Sequence, residues 1–191
     1  MFDGVGRRQE QATGSFLDIG QHSLNGYERD CLFRNNGDGT FTDVAFVNAA
    51  DRVEDGRGLS ILDYDGDGQL DLLLRNYRQP AQLLHNVGGR GHWIELELVG
   101  TRSNRDAVGA LIRVRTARGW QTRQVSAGSA YLSAQSHVQH VGLGPETDAE
   151  EVRINWPSGA ETVRAHLAAD HRYVVVENGA PPAGPLPWAR P

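Results

Sequence analysis

Sulfur is scarce and lysine is missing altogether: the chain of 191 residues has one cysteine and one methionine, and all 19 of its cationic side chains are arginine. A single cysteine cannot close an internal disulfide, so cysteine count leaves the redox compartment open. Cys31 falls in the apolar run Cys31-Leu32-Phe33, which predicts a buried and inert thiol. No apolar run approaches the length of a membrane span. The start, Met1-Phe2-Asp3-Gly4, has no basic segment followed by an apolar one, so no signal peptide is visible. The net charge of −5 and the scattered arginines provide no basic face for nucleic acid. Arg113, Arg115, Arg118 and Arg123 alternate with apolar positions, as on the solvated face of a strand.

Catalytic patterns are equally sparse. His137 and His140 are the only close histidine pair, and on a strand that spacing sends them to opposite faces. No cysteine or acid nearby completes a zinc set. Val125-Ser126-Ala127-Gly128-Ser129 lacks the glycine pattern of a nucleophile elbow. Gly142 and Gly144 are followed by no helix, so they are not a dinucleotide fingerprint. Trp93, Trp120 and Trp156 are read as core residues ahead of a carbohydrate platform, because they occupy alternating strand positions.

What the chain has in quantity is glycine, 23 residues of it, set between short Val/Leu/Ile runs. That pattern calls for many tight turns and an all-β fold. Cys31–Asn35 and Thr40–Val44 flank Asn36-Gly37-Asp38-Gly39 and predict a hairpin, since Asn and Gly accept the positive φ such turns need. Turn chemistry accounts for Asn35–Gly39 better than metal binding does. A second hairpin, Gly58–Leu62 with Leu70–Leu74, encloses an acidic loop, and the run Ala81–Leu84 follows. After the Gly-rich junction near residue 88, six segments carry strand patterns: 93–99, 111–116, 121–125, 140–144, 151–156 and 173–176. The expected organisation is a partial β-propeller-like blade region over residues 15–87, then a small β-sandwich or barrel over 88–178. The Pro- and Ala-rich residues 179–191 are expected to form a disordered tail.

The strongest chemical signal is Asp63-Tyr64-Asp65-Gly66-Asp67-Gly68-Gln69-Leu70-Asp71. Its carboxylates fall at loop positions one, three, five and nine. Calcium takes about six to eight oxygen ligands, and alternating Asp residues in a tight loop direct oxygens into one cavity. Gly68 lets the backbone bend so that the carbonyl of Gln69 turns inward, and Asp71 closes the shell from the following strand. The expected ligands are therefore Asp63, Asp65, Asp67, the Gln69 carbonyl and Asp71, holding Ca2+. Magnesium suits the loop less well, because it favours fewer protein ligands in a tighter octahedron. A solvated acidic turn is the plain alternative.

Two resemblances follow from these residues. Leu32-Phe33-Arg34-Asn35-Asn36-Gly37-Asp38-Gly39-Thr40-Phe41-Thr42-Asp43-Val44 resembles the FG-GAP/VCBS repeat of integrin-like propellers, and the loop at 63–71 resembles the calcium loop of those repeats. The stretch from about His92 to Glu177 resembles an ASPIC/UnbV domain. The segments that carry it are Asn104–Ala110, Val125–Ser133, Val141–Gly144 and Trp156–Gly159. The resemblance implies an extracellular or envelope-associated protein of the cartilage acidic protein type, a non-catalytic binding or adhesion module with a protein or glycan ligand. It also leaves open an accessory or catalytic role in a biosynthetic pathway of the enediyne type. One departure stands out. A propeller closes with about four to eight blades, and the first region amounts to little more than one. The expectation is a fragment of a longer protein, or a sheet whose edges are completed by association or by the second domain.

Overall fold

Strict alternation of apolar and polar side chains builds the centre of this protein, and the strand His92–Val99 shows it best. The computed structural model describes residues 28–89, 91–128 and 133–179. Among them twelve strands form: β1 Phe33–Asn35, β2 Phe41–Asp43, β3 Gly56–Leu62, β4 Asp71–Asn76, β5 Gln82–Leu84, β6 His92–Val99, β7 Leu111–Thr116, β8 Gly119–Gln124, β9 Gln139–Gly144, β10 Asp148–Asn155, β11 Glu161–Ala168 and β12 His171–Val176. Residues 180–191 of the expected tail, and residues 1–27, which include the start of the expected blade region, lie outside the described residues. The rest is all-β apart from a single 3-10 turn at Phe46–Asn48.

Two compact units are present. The first runs to Asp55 and includes Tyr77–Gln79; the second holds Gly56–Asn76 and everything from Pro80 onward. In the first unit β1 and β2 pair antiparallel, Phe33 opposite Asp43. Their turn is held by its own side chains: Asn35 Oδ1 accepts the Gly37 N–H at 2.8 Å, and Asp38 Oδ1 accepts the Thr40 N–H at 2.9 Å. The Thr40 hydroxyl, which donates to the same oxygen at 2.6 Å, and then the Thr40 N–H hold the Asp38 carboxyl below its ordinary pKa. Cys31 departs from expectation: its thiol is exposed. Phe33 and Phe41, each 62% exposed, share this face, so the apolar run there did not signal a core.

In the second unit, β6 sends Ile94, Leu96 and Leu98 into the core and Trp93, Glu95 and Glu97 to its other side. It lies between β12, parallel, and β9, antiparallel. A four-stranded sheet, ordered β11-β10-β7-β8, brings Ile112, Val114, Val152 and Ile154 into the same core. Two open sheets sharing one core make a small sandwich. They are joined beside β9, where Gln121 Nε2 donates to the Gly142 carbonyl at 2.8 Å and Arg123 Nε to that of His140 at 3.3 Å.

β11 went unmarked by hydrophobic pattern. It is an edge strand that buries only Thr162 fully, and His166 takes a positive φ of 51°. Thr162 still has a defined task, because its Oγ1 accepts the indole N–H of buried Trp156 at 2.8 Å. Thr162→Val keeps the shape and strands that N–H, so we expect a loss of about 1–3 kcal/mol in denaturant unfolding. Trp156 is a core residue, as its spacing predicts; Trp93 is also buried, but on the opposite side of β6, and Trp120 is 46% exposed with the guanidinium groups of Arg113 and Arg153 against its ring.

The third sheet of this unit, ordered β3-β4-β5, carries the acidic loop between its first two strands. The outer edge of β3 has partners within the chain: Gln135 accepts the Ile61 N–H and donates to the Leu59 carbonyl, both at 2.8 Å. Ser133 Oγ accepts the Leu59 N–H at 3.3 Å.

Candidate metal centre

The β3–β4 register sets Leu62 opposite Asp71, so residues 63–70 must reverse the chain within one loop. The aspartates do this by accepting backbone N–H groups. Asp63 Oδ1 takes Gly66 at 2.7 Å and Asp67 at 3.2 Å, and its Oδ2 takes Gly68 at 2.8 Å. Asp65 Oδ1 accepts the Asp67 N–H at 3.2 Å, and Asp67 Oδ1 that of Gln69 at 2.8 Å. Asp71, 1% exposed, joins three segments: its Oδ2 accepts Tyr64 N–H at 3.0 Å and its Oδ1 Asn86 N–H at 2.8 Å.

Gly68 adopts φ +85°, and a Cβ built there would fall 1.7 Å from Trp93 Nε1. Trp93 in turn stacks on His140, ring centroids 5.7 Å apart and planes 18° from parallel. His140 Nε2 lies 3.0 Å from the Gly68 carbonyl oxygen, which fixes Nε2 as the protonated nitrogen of the neutral ring. Burial pushes the His140 pKa down, against the opposing pull of that carbonyl and of Asp63. The loop is thus seated on the side of β6 and β9 that faces away from the core.

Three of the four expected carboxylates converge. Asp63, Asp65 and Asp71 each offer an oxygen, all within 4.8 Å of one another. Asp67 instead groups with Asp65 and with His85, a residue that motif spacing does not flag. His85 follows β5, and only the pairing of Leu72 with Leu84 brings it to the loop. Its Nε2 stands 3.2 Å from Asp65 Oδ2, and its ring meets Tyr64 edge-on at 5.2 Å. The side chain of Gln69 lies against Gly89. Among the described residues no arginine pairs with Asp63, Asp65, Asp67 or Asp71, although the sequence has 19 arginines and several pair with acids elsewhere. Carboxylates this close repel one another. The donor set is dominated by hard oxygen, so it fits a hard divalent cation, with backbone carbonyls and water completing the shell.

Comparison with known proteins bears on the chain as a whole. The family model described as FG-GAP-like repeat matches residues 19–74, and the one described as ASPIC and UnbV matches residues 100–182. The chain joins an FG-GAP-like repeat to an ASPIC and UnbV region. The chain is similar to Cartilage acidic protein 1 of Homo sapiens and of Mus musculus, each 34% identical over 139 residues. Those matches cover 69% of this chain and 21% of either relative. Cartilage acidic protein 1 of Xenopus tropicalis is 34% identical over 121 residues, 59% of this chain and 18% of its own length. The chain therefore spans about a fifth of the relatives it matches. The acidic loop lies inside the FG-GAP-like repeat, while Trp93 and His140, on which it rests, lie outside that match. Of the Ser126–Tyr131 segment in the ASPIC and UnbV region, Ser126 donates to the Gly128 carbonyl at 2.8 Å; residues 129–131 lie outside the described residues.

Proposed function

We propose that this chain is a calcium-stabilised, non-catalytic binding module of the extracellular type, with Asp63, Asp65, Asp67, the Gln69 carbonyl and Asp71 as the ion's ligands. The observation that carries the reading is the convergence of Asp63, Asp65 and Asp71 oxygens within 4.8 Å without an arginine partner. Calcium supplies there the positive charge that the loop's own residues do not. The residues themselves do the rest: Asp71 ties the end of β3 to Asn86, and Gly68 lets the loop lie flat on Trp93. An ion that binds the folded loop alone pins the hairpin and so stabilises the surface beside it. That surface is the part offered to a protein or glycan partner.

The ligand set suits such a setting. Calcium affinity is tuned by ligand charge and rigidity, and sites in extracellular modules work at about 10⁻⁴–10⁻³ M. A loop whose Asp65 and Asp67 are exposed belongs at the weak end of that scale. The similarity to relatives named for cartilage supports the same setting. The test is a thermal melt in calcium and in chelator. At a hundredfold excess over Kd, linkage gives about 2.7 kcal/mol, or about 5–10 °C for a chain of this size. Asp71→Asn, which turns an amide toward a backbone N–H, is expected to remove that difference. Equal midpoints for the wild type with and without calcium would sink the proposal.

A further inference from the structure

The side of the β12-β6-β9 sheet away from the core carries a row of ionisable groups. Register alone sets Arg172, Glu95 and His140 side by side on the three strands. Glu95 is 9% exposed, and its Oε2 is buried with no hydrogen-bond partner. Burial raises the Glu95 pKa, Arg172 opposes the rise, and Asp63 and Glu97 add to it. An orphaned carboxylate oxygen is costly in a folded protein and asks what it is kept for.

A cavity of about 300 Å³ opens on this row. Ile61, Leu70 and Val138 give it apolar wall, while two acids, Glu95 and Asp63, and two arginines, Arg123 and Arg172, also line it. Arg123 is held in place by three bonds, to the His140 carbonyl at 3.3 Å, the Thr122 carbonyl at 3.0 Å and Gln121 Oε1 at 3.4 Å. All three partners are neutral, and a guanidinium has five N–H donors in all. One cavity thus holds, besides Asp63 and Arg172, a Glu95 carboxyl with an unmatched oxygen and an Arg123 guanidinium bonded only to neutral groups.

We propose that this cavity binds a small zwitterion of the α-amino acid class, its ammonium group at Glu95 and its carboxylate at Arg123. The wall carries two acids and two arginines, and a ligand with one charge would answer groups of one sign only. The terminal torsion of a glutamate is soft, so the Glu95 carboxylate turns toward an ammonium group at little cost. Arg123 needs no such adjustment, because its fork is already anchored. The volume lies at the lower end of the range for small-molecule sites, about 300–1,000 Å³, which favours a single amino acid over a longer chain. The inference deepens the reading of the chain as a binding module, and Asp63, one of the proposed calcium ligands, borders the same cavity.

The experiment is a thermal-shift and calorimetric titration of the full chain with glycine, L-alanine and L-glutamine, set against propionate and n-propylamine. At a hundredfold excess over Kd, an amino acid is expected to raise the midpoint by about 5 °C or more. The single-charge compounds are expected to give less than a fifth of that shift. Glu95→Gln and Arg123→Gln should each lower amino-acid affinity at least tenfold while keeping the wild-type difference between calcium and chelator. That difference separates loss of the cavity from loss of the loop. No shift with any amino acid, or equal shifts with propionate or propylamine, would overturn the proposal without any variant being needed. An amino-acid response that survives both substitutions would overturn the placement. A chain that binds amino acids but ignores calcium keeps this inference and loses the metal.

Discussion

Replacing Gly68 with alanine is expected to destabilise the protein by about 2–5 kcal/mol, because two independent costs fall on one atom. The backbone there sits at φ +85°, and an added Cβ would lie 1.7 Å from Trp93 Nε1 and 2.4 Å from its Cδ1. Trp93 cannot simply swing aside, since it is 8% exposed and stacked on His140. Either the loop lifts off the sheet or the stack breaks. In both cases Asp63, which accepts the Gly68 N–H, loses its place beside Asp65 and Asp71. The calcium-dependent part of the melt should therefore vanish together with the stability. Gly39→Ala is the matched control. Gly39 has nearly the same backbone angle, φ +88°, but a Cβ there would meet nothing within 4 Å. It is expected to cost only the backbone share, about 1–2 kcal/mol. Equal losses at the two positions in urea unfolding would show that Trp93 yields freely.

Glu177→Gln is expected to lower the melting midpoint by about 5–10 °C at neutral pH, with a characteristic pH dependence. Glu177 is 1% exposed and follows β12. Its Oε2 accepts the N–H groups of Thr101, Arg102 and Ser103 at 2.9, 2.8 and 2.7 Å. Its Oε1 accepts the hydroxyls of Ser103, at 3.0 Å, and of Ser158. Burial alone would raise its pKa, but the Ser103 N–H, the Ser158 hydroxyl and the Thr101 and Arg102 N–H groups outweigh that and hold it at about 2. A glutamine presents an amide to a nest of donors that wants only an acceptor. Since the folded pKa lies below the unfolded value of 4.5, the charged form's contribution is complete above pH 4.5. It is lost as pH falls toward 2. The gap between wild type and Glu177→Gln should accordingly close over that window, and a gap independent of pH would refute the assignment.

Several strands were legible because they are half-buried, and half-burial writes itself into sequence as alternation. Trp93–Val99 and Leu111–Thr116 read correctly for that reason, one side of each facing a shared core. β11 did not read as a strand, because an edge strand has one neighbour and needs few apolar residues. Cys31 misled in the opposite direction: an apolar run near a turn looks like core whether or not anything covers it, and here the thiol is exposed.

The acidic loop divides in the same way. Sequence by itself determined the β3–β4 hairpin, the turn glycines and the alternation of Asp63, Asp65 and Asp67, since those depend on residues within one short segment. Backbone rules and local hydrogen bonds are enough to specify such features without a distant contact. Tertiary structure decided the rest. It made Trp93 and His140 the bed on which Gly68 lies, brought His85 to Asp65 across β5, and placed Glu95 beside Arg172 and His140 through strand register. Those pairs are separated by 20 to more than 70 positions, and no periodicity within a single strand records which strand will be its neighbour.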